Sequence, residues 1–343
     1  MNSFVIIGGA GYVGIELVNR LLIQGCESII IVTRNTSKKI LFRDPRVQIV
    51  KSLDEVKRRA IVINLAFANT SDYFTIKQST SSLINSIKRY HEQVGAYFIL
   101  HVSTIVLSES GIQYGRVSKK ESYVYSKSLQ ENLFIKSFAK SELAIVRAGN
   151  ILSPHSPWLV KLSLKLINNE PLKFKGIMAP TNATSLDFLV GKILELAIKG
   201  KGGYFNCCEL SGYTWDTFVD YLANLLCVTE VCEFDSIITK RQNLPRIVLK
   251  SWVHLGITLN TSPWHGDALN RLIGMRWLPL SKELIRRNKK FRAVSKTNVS
   301  MKMGKEFKLF CDSRRVVSDF EIDYDLKDFK KSIEEGIRDM GFS

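Results

Sequence analysis

Residues 8–14 read Gly8-Gly9-Ala10-Gly11-Tyr12-Val13-Gly14 and follow an apolar run, Phe4–Ile7, that predicts the first β-strand. A helical pattern begins at Gly14, so the glycines lie in a strand-to-helix turn. Gly8 permits the tight turn, Gly11 lets the backbone approach a phosphate, and Gly14 lets the helix pack closely on the strand. Because a helix N-terminus attracts anions, we expect a pyrophosphate here. The predicted contacts are Gly8, Gly11, Tyr12, Val13 and Gly14.

Short apolar runs alternate with helical patterns through the first half of the chain. Such alternation predicts a parallel sheet covered by helices, and strands that are apolar throughout are buried on both faces. The strand-like runs are Phe4–Ile7, Ser28–Thr33, Val47–Val50, Ile61–Ala66, Tyr97–Val102 and Leu143–Arg147. Together with the glycine turn they predict an α/β fold of the Rossmann type, a doubly wound parallel sheet that binds a dinucleotide.

The pattern loosens after about residue 150. We therefore expect a dinucleotide-binding domain over residues 1–152 and a small C-terminal substrate-binding lobe, mainly over 153–343. A helical pattern at Asp187–Lys199 and a strand-like run at Tyr204–Cys208 indicate that the chain returns to the first domain around residues 183–208.

A tyrosine and a lysine stand at helical spacing in Tyr123-Val124-Tyr125-Ser126-Lys127. Residues i and i+4 share one helix face, and an adjacent ammonium favours the phenolate form of a phenol whose ordinary pKa is about 10. Ser103 follows the fifth strand-like run, at the sheet edge where such folds bind ligands. We therefore predict a catalytic centre in which Tyr123 is the acid/base and Ser103 hydrogen-bonds the same substrate oxygen.

The end of the second strand indicates which dinucleotide is bound. An acidic residue there would bind the ribose 2′-hydroxyl of NAD, whereas an arginine accommodates the 2′-phosphate of NADP. The chain has Thr33-Arg34-Asn35 and no acidic residue at that point. Arg34 therefore favours NADP over NAD, although it could equally stack on the adenine ring.

The net charge of +17 is concentrated late in the chain, with a basic segment over residues 282–308. Such a segment attracts nucleic acid, anionic lipid or a phosphorylated substrate. No nucleic-acid-binding motif is present, so we expect no nucleic-acid partner, whereas a peripheral membrane contact through this segment stays open. The six cysteines lack zinc-ligand spacing, so no metal site is expected. Without a secretory leader or long apolar run, we expect a cytoplasmic protein.

Four further segments extend these motifs into a family resemblance. They are Asn64–Ala68, Val102–Val106, Arg147–Ile151 with Pro154, and Ser185–Phe188. With them the sequence resembles the extended short-chain dehydrogenases/reductases, also called the NAD-dependent epimerase/dehydratase family, over about residues 1–227.

The resemblance implies hydride transfer at a sugar carbon, usually of a nucleotide sugar in polysaccharide biosynthesis. It places Leu65 and Ala66, and also Ala148 and Gly149, beside the nicotinamide. Lys127 would bind the nicotinamide ribose, and Thr104 and Asn150 would lie beside the substrate. A homodimer paired through the helix of the Tyr–Lys motif agrees with the resemblance.

Departures from the family pattern narrow the chemistry. Ile105 and Val106 stand where the dehydratase branch has Asp-Glu, which argues against 4,6-dehydration. Only a displaced Asp54 is available as the acidic adenine contact, and residues 180–186 lack the arginine that holds a substrate phosphate. Epimerisation and ketone reduction both stay open, as do a lipid-linked sugar substrate and a non-catalytic dinucleotide sensor or scaffold.

Overall fold

The computed structural model describes residues 3–34, 42–68, 72–109, 122–153, 156–168, 180–209, 213–227, 318–320 and 326–339. The strands in these ranges are β1 (Ser3–Ile7), β2 (Ser28–Val32), β3 (Val47–Val50), β4 (Ala60–Asn64), β5 (Ala96–Thr104), β6 (Leu143–Ala148), β7 (Asn150–Ile151), β8 (Ala183–Thr184) and β9 (Gly203–Cys207). The helices are α1 (Tyr12–Ile23), α2 (Tyr73–Gln93), α3 (Val106–Glu109), α4 (Ser122–Ser137), α5 (Pro157–Ile167), α6 (Leu186–Lys199), α7 (Trp215–Leu225) and α8 (Leu326–Asp339).

Seven strands form one parallel sheet in the order β3-β2-β1-β4-β5-β6-β9. The chain builds outward from β1 to β3 and then crosses to β4 on the other side of β1. Ligands of open α/β sheets bind at the carboxyl ends of the strands beside such a reversal. The predicted Rossmann-type fold is confirmed, and the crevice between β1 and β4 is the expected site.

Alternate residues of the strands are buried in two different cores. Phe4 and Ile6 of β1 pack in the core that α1 and α6 cover. Val5 and Ile7 pack in the opposite core, which α2 and α4 cover. Since side chains of a strand alternate between faces, β1 is apolar throughout because both faces are buried.

The later part of the described chain packs beside the sheet. β7 pairs with β8 in a separate two-stranded sheet, and α5 and α7 share a third core with Ile333 and Ile337 of α8. Residues 318–320 lie along the edge strand β9, where the Asp319 N–H donates to the Asn206 carbonyl oxygen at 3.0 Å.

The structure differs from the sequence predictions mainly at element ends. β5 continues to Thr104, so Ser103 lies inside the strand and pairs with Arg147 of β6. Helix α3 and the β7–β8 sheet were not predicted, because both are too short to have a periodic pattern. The basic segment 282–308 lies outside the described residues, and the division at residue 152 stays a prediction. Among the described helices, none combines the length and the apolar character that a membrane span requires.

Candidate active site

The glycine turn between β1 and α1 has the backbone geometry that its sequence predicts. Gly8 has a φ of +82°, and a Cβ at this position would lie 3.0 Å from the Ala66 backbone nitrogen. A Cβ at Gly14 would collide with the Gly9 carbonyl group. Each of these positions therefore requires glycine, Gly8 for its left-handed φ and both for a close backbone approach.

The N-terminus of α1 suits an anion. Its N-cap is Gly11, and no side chain caps the helix. The dipole of the helix therefore points its positive end into the crevice without a neutralising carboxylate, and its first turn carries no acidic residue. Gly11 itself is exposed, so a phosphate has access to the turn.

Tyr12 and Val13 follow this turn but face the protein in part. The Tyr12 hydroxyl bonds to Ser153, and burial raises the pKa of the phenol above its ordinary value. Val13 packs against the core that α1 covers. The structure places both residues at the predicted turn, and their contacts with a dinucleotide stay predictions.

The other predicted cofactor residues lie at the carboxyl ends of the strands of the same parallel sheet. Leu65 and Ala66 follow β4, and the Leu65 N–H donates to the Ile7 carbonyl oxygen at 2.9 Å. Ala148 ends β6, and Arg34 is exposed two residues after β2. The uncapped helix and the cradle beside Gly8, which a Cβ would fill, fit a dinucleotide. Within the described ranges, no His, Cys, Asp and Glu side chains are grouped as metal ligands.

Lys127 lies on the sheet-facing side of α4. It is 4% exposed, and its Nζ donates to the Val102 carbonyl oxygen of β5 at 2.8 Å. Burial lowers the pKa of the ammonium to about 8, although the negative charge of Glu131 opposes this effect. At neutral pH the lysine therefore still carries its positive charge, which it loses as the pH rises through about 8.

Tyr123 lies one turn before Lys127 and is half-buried. Its ring meets Phe67 edge-to-face, with centroids 5.4 Å apart, and Lys127 Nζ lies 5.2 Å from the centroid of the same Phe67 ring. Phe67, three residues after β4, therefore lies beside both predicted catalytic residues. Phe67 lies within the segment Asn64–Ala68, but it was not predicted as a site residue because an aromatic residue after a strand has no distinguishing spacing.

Ser103 is buried on β5, and its hydroxyl has no hydrogen-bond partner within the described residues. A buried polar group without a partner costs free energy unless water or a ligand satisfies it, so this hydroxyl is suited to a ligand. Thr104, the last residue of β5, is also buried and pairs with Ala148. On a strand the side chains of Ser103 and Thr104 point to opposite faces.

A buried ion pair beside Lys127 favours its charged form and was not predicted from the sequence. Glu131 is fully buried, and both of its carboxylate oxygens accept hydrogen bonds from the Arg147 guanidinium, at 3.1 and 2.8 Å. Arg147 also donates to the Ser108 hydroxyl at 2.9 Å. The spacing of Tyr123, Lys127 and Glu131 at successive intervals of four was a usable signal for this pair.

Asn150 and Gly149 connect the main sheet to the small one. The Asn150 side-chain amide donates to the Thr181 carbonyl oxygen at 2.7 Å, so its amide nitrogen already has a partner within the protein. A Cβ at Gly149 would collide with the Asn182 carbonyl oxygen. Gly149 is therefore needed for the approach of two backbones, and the nicotinamide and substrate contacts of these residues stay predictions.

Comparisons of the sequence found no matching family model and no matching curated protein. Comparisons of the structure found sugar-nucleotide enzymes. WbmG of Bordetella bronchiseptica, solved with NAD and UDP, is 16% identical with a TM-score of 0.55, over 71% of this chain and 84% of that one. A UDP-N-acetylglucosamine 4-epimerase from Methanobrevibacter ruminantium, in complex with UDP-N-acetylmuramic acid, is 15% identical with a TM-score of 0.53, over 66% and 83%.

A third similar structure is the UDP-N-acetylglucosamine 4-epimerase of Bacillus cereus. It is 16% identical with a TM-score of 0.51, and the match covers 66% of this chain and 82% of that chain. At such low sequence identity, the likeness supports a shared fold but does not identify a substrate. The chain has the fold of the extended short-chain dehydrogenases/reductases, as its motifs predict.

Proposed function

We propose that this chain is an NAD(P)-dependent enzyme that transfers hydride at a carbinol or carbonyl carbon of a nucleotide-linked sugar. The observation that carries the proposal is Lys127, a buried lysine one turn after Tyr123. Its ammonium bonds to β5 beside the Ser103 hydroxyl, which has no partner among the residues that the structure describes. The similar structures, which are described as complexes with NAD, UDP and a UDP-sugar, support the same substrate class.

Each residue has a defined task in this proposal. Tyr123, as phenolate, accepts the proton of the substrate hydroxyl during oxidation and returns it during reduction. The Lys127 ammonium favours that phenolate and would bind the nicotinamide ribose. Ser103 donates a hydrogen bond to the reacting oxygen. A bound nicotinamide supplies the hydride acceptor or donor, and the residues that would hold the dinucleotide surround the glycine turn and Ala66.

The cofactor and the outcome of the reaction are finer points of the proposal. Arg34 favours NADP, whereas similar structures, including two structures of WbmG, are described as complexes with NAD. Ile105 and Val106 are buried and apolar, so they supply no acid or base for water loss. We therefore favour an epimerase or a ketoreductase over a 4,6-dehydratase. We also propose a role in polysaccharide biosynthesis and a cytoplasmic location.

Two partner proposals accompany the enzyme. The basic segment 282–308 would contact a membrane surface and would suit a lipid-linked sugar as the alternative substrate. A homodimer would pair through α4 and its neighbour α2, which pack side by side in this structure.

The decisive experiment combines cofactor identification with one substitution. Mass spectrometry of the protein released under denaturing conditions identifies any retained dinucleotide: retained NAD favours an epimerase, and an empty site that binds NADPH favours a reductase. Turnover of a UDP-sugar panel is then compared between the wild type and Tyr123→Phe. We expect the variant to lose at least about a thousandfold in kcat. Full activity of Tyr123→Phe would reject the assignment, and dinucleotide binding without turnover of any sugar would favour a sensor or scaffold.

A further inference from the structure

A buried histidine lies beneath the proposed centre, and none of the tasks above uses it. His101 is fully buried on β5, two residues before Ser103, and therefore faces the same side of the sheet as Ser103. Its ring stacks on Phe134 of α4, with centroids 4.6 Å apart. Burial lowers the pKa of His101 well below its ordinary value, and the charge of Lys127 lowers it further.

The two ring nitrogens of His101 differ in their hydrogen bonding within the described residues. Nδ1 lies 3.0 Å from the side-chain amide nitrogen of Asn64, which is the partner of His101 in the β4–β5 pairing. Nε2 is buried without a hydrogen-bond partner among the described residues. Asn64 is itself fully buried at the end of β4.

The orientation of the Asn64 amide indicates the tautomer of His101. Asn64 Oδ1 accepts a hydrogen bond from the Ala66 N–H at 3.2 Å, so the amide nitrogen must be the group that faces His101. That nitrogen can only donate, so Nδ1 must accept. The neutral ring then carries its proton on Nε2. A doubly protonated ring would lose the Asn64 bond and place a second buried cation near Lys127.

Hydrogen bonds connect His101, through Asn64, to Ala66 in the loop after β4, and connect Ala66 to α4. Asn64 bonds to both the N–H and the carbonyl oxygen of Ala66, the latter at 3.5 Å. Gln130, one turn after Lys127, donates from Nε2 to the same carbonyl oxygen at 3.0 Å. On its other side, Ala66 touches the space that a Cβ at Gly8 would occupy. His101 therefore supports the backbone segment that joins the glycine turn to the helix of Tyr123 and Lys127.

We propose that His101 is a positioning residue. As a neutral, Nε2-protonated imidazole it holds Asn64, and through Asn64 it fixes the Ala66 backbone against which the nicotinamide half of a dinucleotide would be placed. This inference rests on the proposed function. It assigns His101 no contact with substrate or cofactor.

The test separates the two halves of the dinucleotide. ADP-ribose contains the adenosine, both phosphates and the second ribose but lacks the nicotinamide, so only the full dinucleotide reports contacts of the nicotinamide ring. We expect His101→Leu to weaken NAD⁺ or NADP⁺ binding about tenfold in titration calorimetry, while ADP-ribose or its 2′-phosphate binds within about twofold of wild type. Asn places an acceptor near the position of Nδ1, so His101→Asn should recover most of the lost affinity. Leu100→Ala, on the opposite face of the same strand, is the control for lost packing and should not change the ratio of the two affinities.

Nitrogen NMR of the wild type gives an answer even if His101→Leu fails to fold. With five histidines in the chain, the His101 ring is assignable by its loss in His101→Asn. We expect a neutral ring protonated at Nε2 at pH 7. A ring protonated at Nδ1, equal loss of both ligands in His101→Leu, or no rescue by His101→Asn would overturn the inference and leave the proposed function intact. A wild type that binds neither ligand would overturn both.

Discussion

Helices α4 and α6 pack on opposite faces of the same parallel sheet, and they bury very different side chains. The buried residues of α6 are Leu189, Val190, Ile193, Leu194, Leu196 and Ala197. Those of α4 are Val124, Ser126, Lys127, Ser128, Gln130, Glu131 and Phe134. Burial of apolar surface stabilises a fold, whereas burial of charges without ideal pairing costs free energy. Helix α6 therefore serves packing, whereas α4 gives up stability for the polar groups that it presents.

The largest effect is expected when the buried charge of α4 is replaced by an apolar side chain of the kind that α6 buries. Lys127→Met keeps the length of the side chain and removes the buried charge. We expect kcat to fall by about a thousandfold, because the variant has no ammonium to favour the Tyr123 phenolate. The unfolding free energy should stay within about 1 kcal/mol, because the lost Val102 bond is offset by the avoided burial of a charge. Turnover and urea unfolding are measured on the same preparation.

The matched substitution on α6 should lower stability and leave turnover unchanged. Ile193 is fully buried, and Ile193→Ala leaves a cavity. We expect the unfolding free energy to fall by about 3 kcal/mol, while kcat at a temperature well below the unfolding midpoint stays within about twofold. A variant of normal stability, or one that loses turnover as severely as Lys127→Met, would mean that the two helices do not divide stability and chemistry in this way.

The same contrast explains what could be predicted from the sequence. The α6 segment has a regular apolar stripe, a Ser185 N-cap that bonds to the Phe188 N–H at 3.1 Å, and a Gly200 C-cap with a φ of +60°. Its predicted bounds of 187–199 differ by one residue from those observed. Local signals of this kind depend only on neighbouring residues, so sequence patterns report them well.

The contacts of the site depend on residues far apart in the chain. Tyr123 and Lys127 were predictable because both lie on one helix, but Phe67 reaches them from the loop after β4. His101 read as one more residue of an apolar strand, and its partner Asn64 is 37 positions away. Nothing in the local pattern distinguishes such residues from core positions, so the three-dimensional pairing of β4 with β5 was needed to find them.

The charge on α4 also predicts how activity depends on pH. The ordinary pKa of a lysine is 10.5, and burial lowers that of Lys127 to about 8. The ammonium is therefore present below pH 8 and is lost as the pH rises through that value. We expect kcat/KM to fall about tenfold per pH unit above pH 8. Because Glu131 raises the pKa of Lys127, Glu131→Gln should move the decline to lower pH. A profile that stays flat to pH 10 would contradict the role of the ammonium.

The smallest predicted effect concerns the aromatic residue that covers the α4 pair. Phe67→Leu keeps an apolar side chain but removes the ring that contacts Tyr123 and lies 5.2 Å from Lys127 Nζ. Aromatic and cation–π contacts of this kind contribute about 1 kcal/mol each, so we expect kcat to fall severalfold. The loss of the ring also exposes Lys127 to water, which should raise the pKa of the lysine. The decline of kcat/KM at basic pH, here called the basic limb, should then begin at a higher pH. Phe188→Leu is the matched control, because that ring lies 5.5 Å from Lys192 Nζ on α6 and should leave both kcat and the limb unchanged. If Phe67→Leu lowers kcat but leaves the limb in place, the ring orients Tyr123 without shielding Lys127.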